Sequence, residues 1–236
     1  MQADLKTFHR FGVYGEAVVT LITVQNTVAV ERVETLAPDL VLAQIRAVLS
    51  DIPPRAAKTG ALGNSAVMEA VAEAAKDFGF PLVVDPVMIS KHGARLGDVS
   101  SFEKLIARAY LLMPNLDEAS ELVGFAVRDR EAMHRAAKIL IGMGARNVLI
   151  KGGHLEGDAL DLLGLEGGEV REFSAARIDT RHTHGTGCTY SAAITAELAK
   201  GTGLVQAVSL AKAFVTEAIR SNPGLGGGSG PVNHFA

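Results

Sequence analysis

Residues His182, Thr183, His184, Gly185, Thr186, Gly187, Cys188 and Thr189 run consecutively, with two glycines bracketing a threonine ahead of the small residues Ser191, Ala192 and Ala193. Read as the first turn of a buried helix, this stretch turns free backbone N–H groups and the positive helix end toward an anion, with no Cβ in the way. The chain's one cysteine stands at that helix start, where a thiolate is most easily formed. An anion cradle beside an acid/base candidate is what phosphoryl transfer requires. The same residues also read as an ordinary glycine-capped helix start holding a small buried cysteine.

The surrounding sequence alternates apolar, β-branched runs with amphipathic segments. Residues 17–24, 56–60, 81–86, 110–115 and 147–153 read as strands, and 17–24 has the apolar character of a strand covered on both faces. Between and after them, 38–52, 65–78, 117–123, 130–143, 188–200 and 204–221 carry helical spacing, with Pro38 suited to a first turn. Residues 159–165 and 169–173, joined by Gly167-Gly168, read as an antiparallel hairpin. The alternation predicts an α/β fold: a mostly parallel central sheet with helices on both faces and an antiparallel edge. Ligands then bind beyond the carboxyl ends of the strands. Gln25-Asn26, Lys58-Thr59-Gly60, Asp85, Asn115 and Lys151 all fall at such ends.

Composition narrows the class. The 236 residues are 48% apolar, enough for a sizeable core, and the formal net charge is −3 with acidic and basic residues interspersed. No basic block points to nucleic acid. A single cysteine excludes an internal disulfide framework and fits a reducing cytoplasm. Apolar runs stay below the roughly 18–20 residues of a membrane helix, so no membrane partner is expected. The G-x-x-x-x-G-K-[ST] cradle does not occur, and no G-x-G-x-x-G follows the first strand. The glycines between 224 and 230 lack both the strand before and the helix after that such a motif needs.

Several motifs fall in one order: Gln2-Ala3-Asp4-Leu5-Lys6-Thr7, Gln25-Asn26-Thr27, Asp85-Pro86-Val87-Met88, Pro114-Asn115-x-x-Glu118, Lys151-Gly152-Gly153-His154, the 182–189 stretch, and Gly230-Pro231-Val232-Asn233-His234-Phe235. Together they resemble the hydroxymethylpyrimidine/phosphomethylpyrimidine kinases of thiamine biosynthesis, in the ribokinase-like superfamily. The resemblance spans essentially the whole chain and implies one three-layer α/β/α kinase domain over 1–236. It implies ATP-dependent phosphorylation of 4-amino-5-hydroxymethyl-2-methylpyrimidine and of its monophosphate. Gly185, Thr186, Gly187 and Cys188 then form the anion hole, with Cys188 in place of the aspartate base of related sugar kinases. Asp4 and Gln25 are similar to residues that hydrogen-bond the pyrimidine edge, where a donor lies beside a ring acceptor. Lys151 and Thr183 face the nucleotide, Asp85 and Glu118 act through Mg²⁺, and a homodimer is the common assembly.

Simpler roles stand beside these. Asp4 also reads as a first-turn helix carboxylate, Gln25-Asn26 as turn chemistry, and Asp85 before Pro86 as a strand terminator. His182 and His184 read as loop-forming residues. Two departures from the family pattern stand out. The strand and glycine-rich turn that usually precede the QADLKT motif are absent, so either the recorded start is internal or a piece of the site is lost. That strand normally sits inside the sheet, and its loss is expected to leave two exposed strand edges. Ala61 stands where many relatives carry methionine, which loosens the pyrimidine pocket. The polar, glycine-punctuated stretch 90–97 is expected to form a lid over the phosphates. A pyridoxal kinase and a non-catalytic pyrimidine-binding protein are the alternatives. A hydrolase built on Cys188 and His184 lacks an obvious orienting partner beyond Asp179.

Overall fold

The computed structural model describes residues 1–88, 99–153 and 157–236. Helix α1 (Gln2–Arg10) opens the chain, followed by strands β1 (Leu21–Gln25) and β2 (Val30–Thr35) and helix α2 (Pro38–Asp51). Then come β3 (Ala57–Thr59), α3 (Ser65–Ala74), β4 (Leu82–Val84), α4 (Val99–Ile106), β5 (Leu111–Leu112), α5 (Leu116–Val123) and α6 (Arg130–Gly142). The chain continues with β6 (Val148–Gly152), β7 (Ala159–Gly164), β8 (Val170–Ala175), α7 (Thr186–Ala199) and α8 (Leu204–Arg220).

Six strands form one sheet in the order β3-β4-β5-β6-β7-β8. The β3–β6 pairings are parallel, and β7 and β8 add the antiparallel edge the sequence predicts. One apolar cluster fills the face covered by α2 to α6, with Val84, Leu112, Ile150 and Leu162 pointing into it. A second lies under α7 and α8, where Val83, Leu111, Leu149 and Leu163 meet Tyr190, Ile194 and Val208. Adjacent strand residues feed opposite clusters, as the two-residue repeat of a strand covered on both faces demands.

One expectation changes. The run 17–24 is not a buried central strand: β1 covers Leu21–Gln25, pairs antiparallel with β2, and leaves Ile22 and Val24 at least half exposed. This two-stranded flap stands apart from the main sheet, so apolar composition here marks a projecting ribbon rather than a core strand. The six-stranded sheet runs continuously from β3 to β8, which form its edges. Helix α1 carries Asp4 in its first turn, and α4 and β2 are additional to the elements the sequence predicts. The proposed lid at 90–97 lies outside the described residues, as does His154.

Candidate active site

Helix α7 begins two residues earlier than its apolar pattern indicates. Gly185 is the N-cap of α7 at φ +82°, a left-handed conformation that suits glycine, so Thr186, Gly187 and Cys188 make the first turn. The first N–H groups of a helix have no acceptor in the turn before them. Of these, Thr186 N–H meets the Thr183 carbonyl at 3.3 Å, and the Thr186 hydroxyl donates to the same oxygen at 2.8 Å. Thr183 thus shapes the loop from behind. The chain's last stretch clamps it from outside: His184 N–H donates to Gly230 O, Val232 N–H donates to His184 O, and Thr189 Oγ1 lies 3.1 Å from His234 Nε2.

Beneath this helix start the sheet presents a row of charges on the α7/α8 face. At β3, the Lys58 ammonium donates to Asp4 of α1 at 3.0 Å. Just past β4, Asp85 accepts from Lys151 of β6 at 2.6 Å. A Cβ built on Gly187 would stand 3.7 Å from both Asp85 Oδ2 and Lys151 Nζ. The space between that ion pair and the helix start is therefore kept open by glycine. Asn115 caps α5 in a reciprocal box: its side chain accepts from Glu118 N–H, and Glu118 Oε2 accepts from Asn115 N–H at 2.8 Å. Lys151 N–H donates to Pro114 O, which pins this cap beside the lysine.

Burial sets the protonation of these groups. The Glu118 carboxyl is pushed up to about 7 by desolvation, against the pull of the Lys151 ammonium and with the Asp85 charge adding to the rise. Burial also lifts Asp4, but the Lys58 ammonium outweighs it and the carboxyl ends below its ordinary value. Both lysines are raised: desolvation disfavours their charge, yet Asp4 and Asp85 respectively hold the proton. Cys188 departs from expectation. Its thiol is pushed up, because burial and the nearby carboxylates of Asp85 and Asp4 outweigh Lys58. The helix start alone does not make a thiolate where two carboxylates share the enclosure.

Asp4, Asp85, Glu118, Lys151, Thr183 and residues 185–188 all line one open cavity of about 2100 Å³. That exceeds the 300–1,000 Å³ typical of a single small-ligand pocket, leaving room for two substrates. Gln25 borders it too, but as an exposed residue at the tip of the flap and not at the end of a central strand. The sequence places Lys58 at a strand end without assigning it a role, although, like Lys151, it is a lysine late in a strand that runs into glycine.

A mostly parallel sheet with helices on both faces, carrying a glycine-flanked anion cradle over buried lysine–carboxylate pairs, defines a ribokinase-like small-molecule kinase. The phosphomethylpyrimidine kinase family model matches residues 1–233, and the chain belongs to that family. The hydroxymethylpyrimidine/phosphomethylpyrimidine kinase of Bacillus subtilis (strain 168) is 43% identical over 100% of this chain and 89% of its own length. Among solved structures, the ADP complex of Bacillus subtilis pyridoxal kinase superposes with a TM-score of 0.90 at 36% identity, over 100% of this chain and 92% of that one. The phosphomethylpyrimidine kinase of Clostridium difficile 630 superposes with a TM-score of 0.80 at 40% identity, over 92% of each chain.

Proposed function

We propose that this protein transfers the γ-phosphoryl group of ATP to the hydroxymethyl group of 4-amino-5-hydroxymethyl-2-methylpyrimidine, and then to the resulting monophosphate. The observation that carries this reading is the opening under Gly187, bounded by Lys151, Asp85 and the first turn of α7. Phosphoryl transfer asks mainly for alignment and for donors aimed at the transferred group. Backbone N–H groups from above and the Lys151 ammonium from below supply both. Asp4 is placed to accept from the exocyclic amine, with Lys58 holding it ionised. Gln25 closes the pyrimidine side from the flap.

The donor set fits Mg²⁺. Asp85 and Glu118 are hard oxygen ligands, and this ion is usually held by one or two carboxylates together with substrate phosphates. Among the described residues no three His, Cys, Asp or Glu side chains converge into a protein-only cage. When bound, the ion would neutralise phosphate charge. Cys188 feels the charges of both ion pairs and is the group we assign to take the hydroxyl proton, with Lys58 foremost among the groups that favour its ionised form. A loose transition state needs little help from a base, so a thiol of raised pKa is compatible with this role. Among the described residues no helix is long and apolar enough to cross a membrane, and the free Cys188 thiol fits a reducing cytoplasm.

Pyridoxal is the second candidate substrate, favoured by the close superposition on a pyridoxal kinase. Turnover of the hydroxymethylpyrimidine, its monophosphate and pyridoxal, measured side by side with ATP, separates the readings. We expect the two pyrimidines to be preferred, and Gly187→Val to lower their turnover on the order of 10²-fold while the protein stays folded. Preference for pyridoxal, or no phosphorylation of either pyrimidine, overturns the assignment.

A further inference from the structure

Strand β7 carries an aspartate in its interior. Asp161 lies within the apolar run Ala159–Gly164 and is almost fully buried, although strands disfavour Asp and buried carboxylates need partners. Its partners are specific. Oδ1 accepts from Gly152 N–H at 3.0 Å, and Oδ2 accepts from Lys212 Nζ of α8 at 2.7 Å. Lys212 also donates to Ala159 O at 2.9 Å and is itself buried among the apolar residues of its helix.

In the β6–β7 register, Asp161 stands directly opposite Lys151. Directly opposed residues of an antiparallel pair share a face, with Cβ atoms about 5 Å apart. The residues two before Lys151 and two after Asp161, Leu149 and Leu163, both feed the cluster under α7 and α8, which fixes that face. By proximity alone Asp161 is the natural partner of Lys151. Yet Lys151 reaches across to Asp85, and Asp161 is taken by Lys212.

We infer that Lys212 is a positioning residue: by occupying Asp161, it leaves Lys151 directed at Asp85 and the cradle under Gly187. Lys212 acts through Asp161 and does not touch the reacting atoms. The two buried pairs are arranged so that each ammonium has one carboxylate, and removing the outer lysine frees a carboxylate beside the inner one. This deepens the kinase reading and rests on it for its catalytic consequence.

The test is the crystal structure of Lys212→Met above pH 7, together with kcat and KM for Lys212→Met and for the double variant Asp161→Asn/Lys212→Met. We expect Lys151 Nζ to leave Asp85 for Asp161 in the single variant, with kcat lower on the order of 10²-fold and the KM for the pyrimidine little changed. In the double variant, the carboxylate that captures Lys151 is gone, and most of the lost turnover returns. If Lys212→Met does not fold, Lys212→Gln leaves an amide donor for Ala159 O but takes the counter-ion from Asp161, and the same displacement is expected. Lys151 remaining on Asp85 in the folded single variant overturns the inference, as does a double variant no faster than the single one. An inactive wild type defeats the kinase reading instead, and the position of Lys151 in the crystal still decides the role of Lys212.

Discussion

Glu118 carries two duties on one carboxylate. One oxygen closes the cap of α5, and the group as a whole faces Asp85 and Lys151. Its folded pKa of about 7 lies above the ordinary value of 4.5, so the folded state holds a proton that the unfolded state releases. Its contribution is therefore fully present below about 4.5 and is lost as pH rises toward 7. The span corresponds to at most about 3 kcal/mol. Glu118→Gln keeps an acceptor for Asn115 N–H but cannot titrate. Thermal unfolding from pH 4.5 to 8, with a chelator present, is expected to show wild-type stability falling relative to the variant; parallel curves would refute the shift. Among the site residues, those in the 185–188 stretch were legible because glycine spacing has a direct geometric meaning. Asp161 and Lys212 were not, since a charge inside an apolar run gains its meaning only from a partner brought in by another element.

The connection between elements matters most at the glycine stretch 224–230. The sequence shows a tail without a motif, but the structure makes it a bridge. Ser229 N–H donates to Thr27 O at 2.9 Å on the flap turn, and the Ser229 hydroxyl donates to Arg181 O at 2.9 Å on the loop before α7. A Cβ on Gly228 would lie 2.1 Å from Thr27 O, a backbone atom that cannot swing aside. Gly228→Ala is expected to destabilise by about 1–3 kcal/mol, the range for overpacking, and to raise the KM for the pyrimidine by shifting the flap. Gly167→Ala, where a Cβ meets open space, serves as the control. Urea unfolding and steady-state kinetics check both; a Gly228→Ala protein matching the control would show that the bridge tolerates rearrangement. The flap was the element least legible in sequence. Its β-branched run looks like a buried strand until pairing places it outside the sheet.

Across the whole molecule, the layered α/β order was legible because each strand that feeds both clusters needs an unbroken apolar run, and each covering helix needs one apolar face. What that pattern leaves unspoken is which apolar surface stays uncovered. Ile22 and Val24 point from alternate positions of β1, and Val28 extends the same ribbon; all three are at least half exposed. A homodimer, which we propose from the family resemblance, would cover this ribbon. Light scattering during size-exclusion chromatography is expected to give a dimer for the wild type and a monomer for Val24→Asp, while a monomeric wild type or a dimeric variant would reject the assignment.

The clamp on the 182–189 loop has a consequence in time. His184 is held on both sides by backbone bonds to Gly230 and Val232, and Thr189 by the ring of His234. A ribosome makes each of these partners some 45 residues or more after the loop position it secures, so the loop takes its held form only once that later stretch has been made and packed. The charges beneath the loop belong to elements made earlier, whereas the loop itself waits on residues 230–234 for its fixed shape.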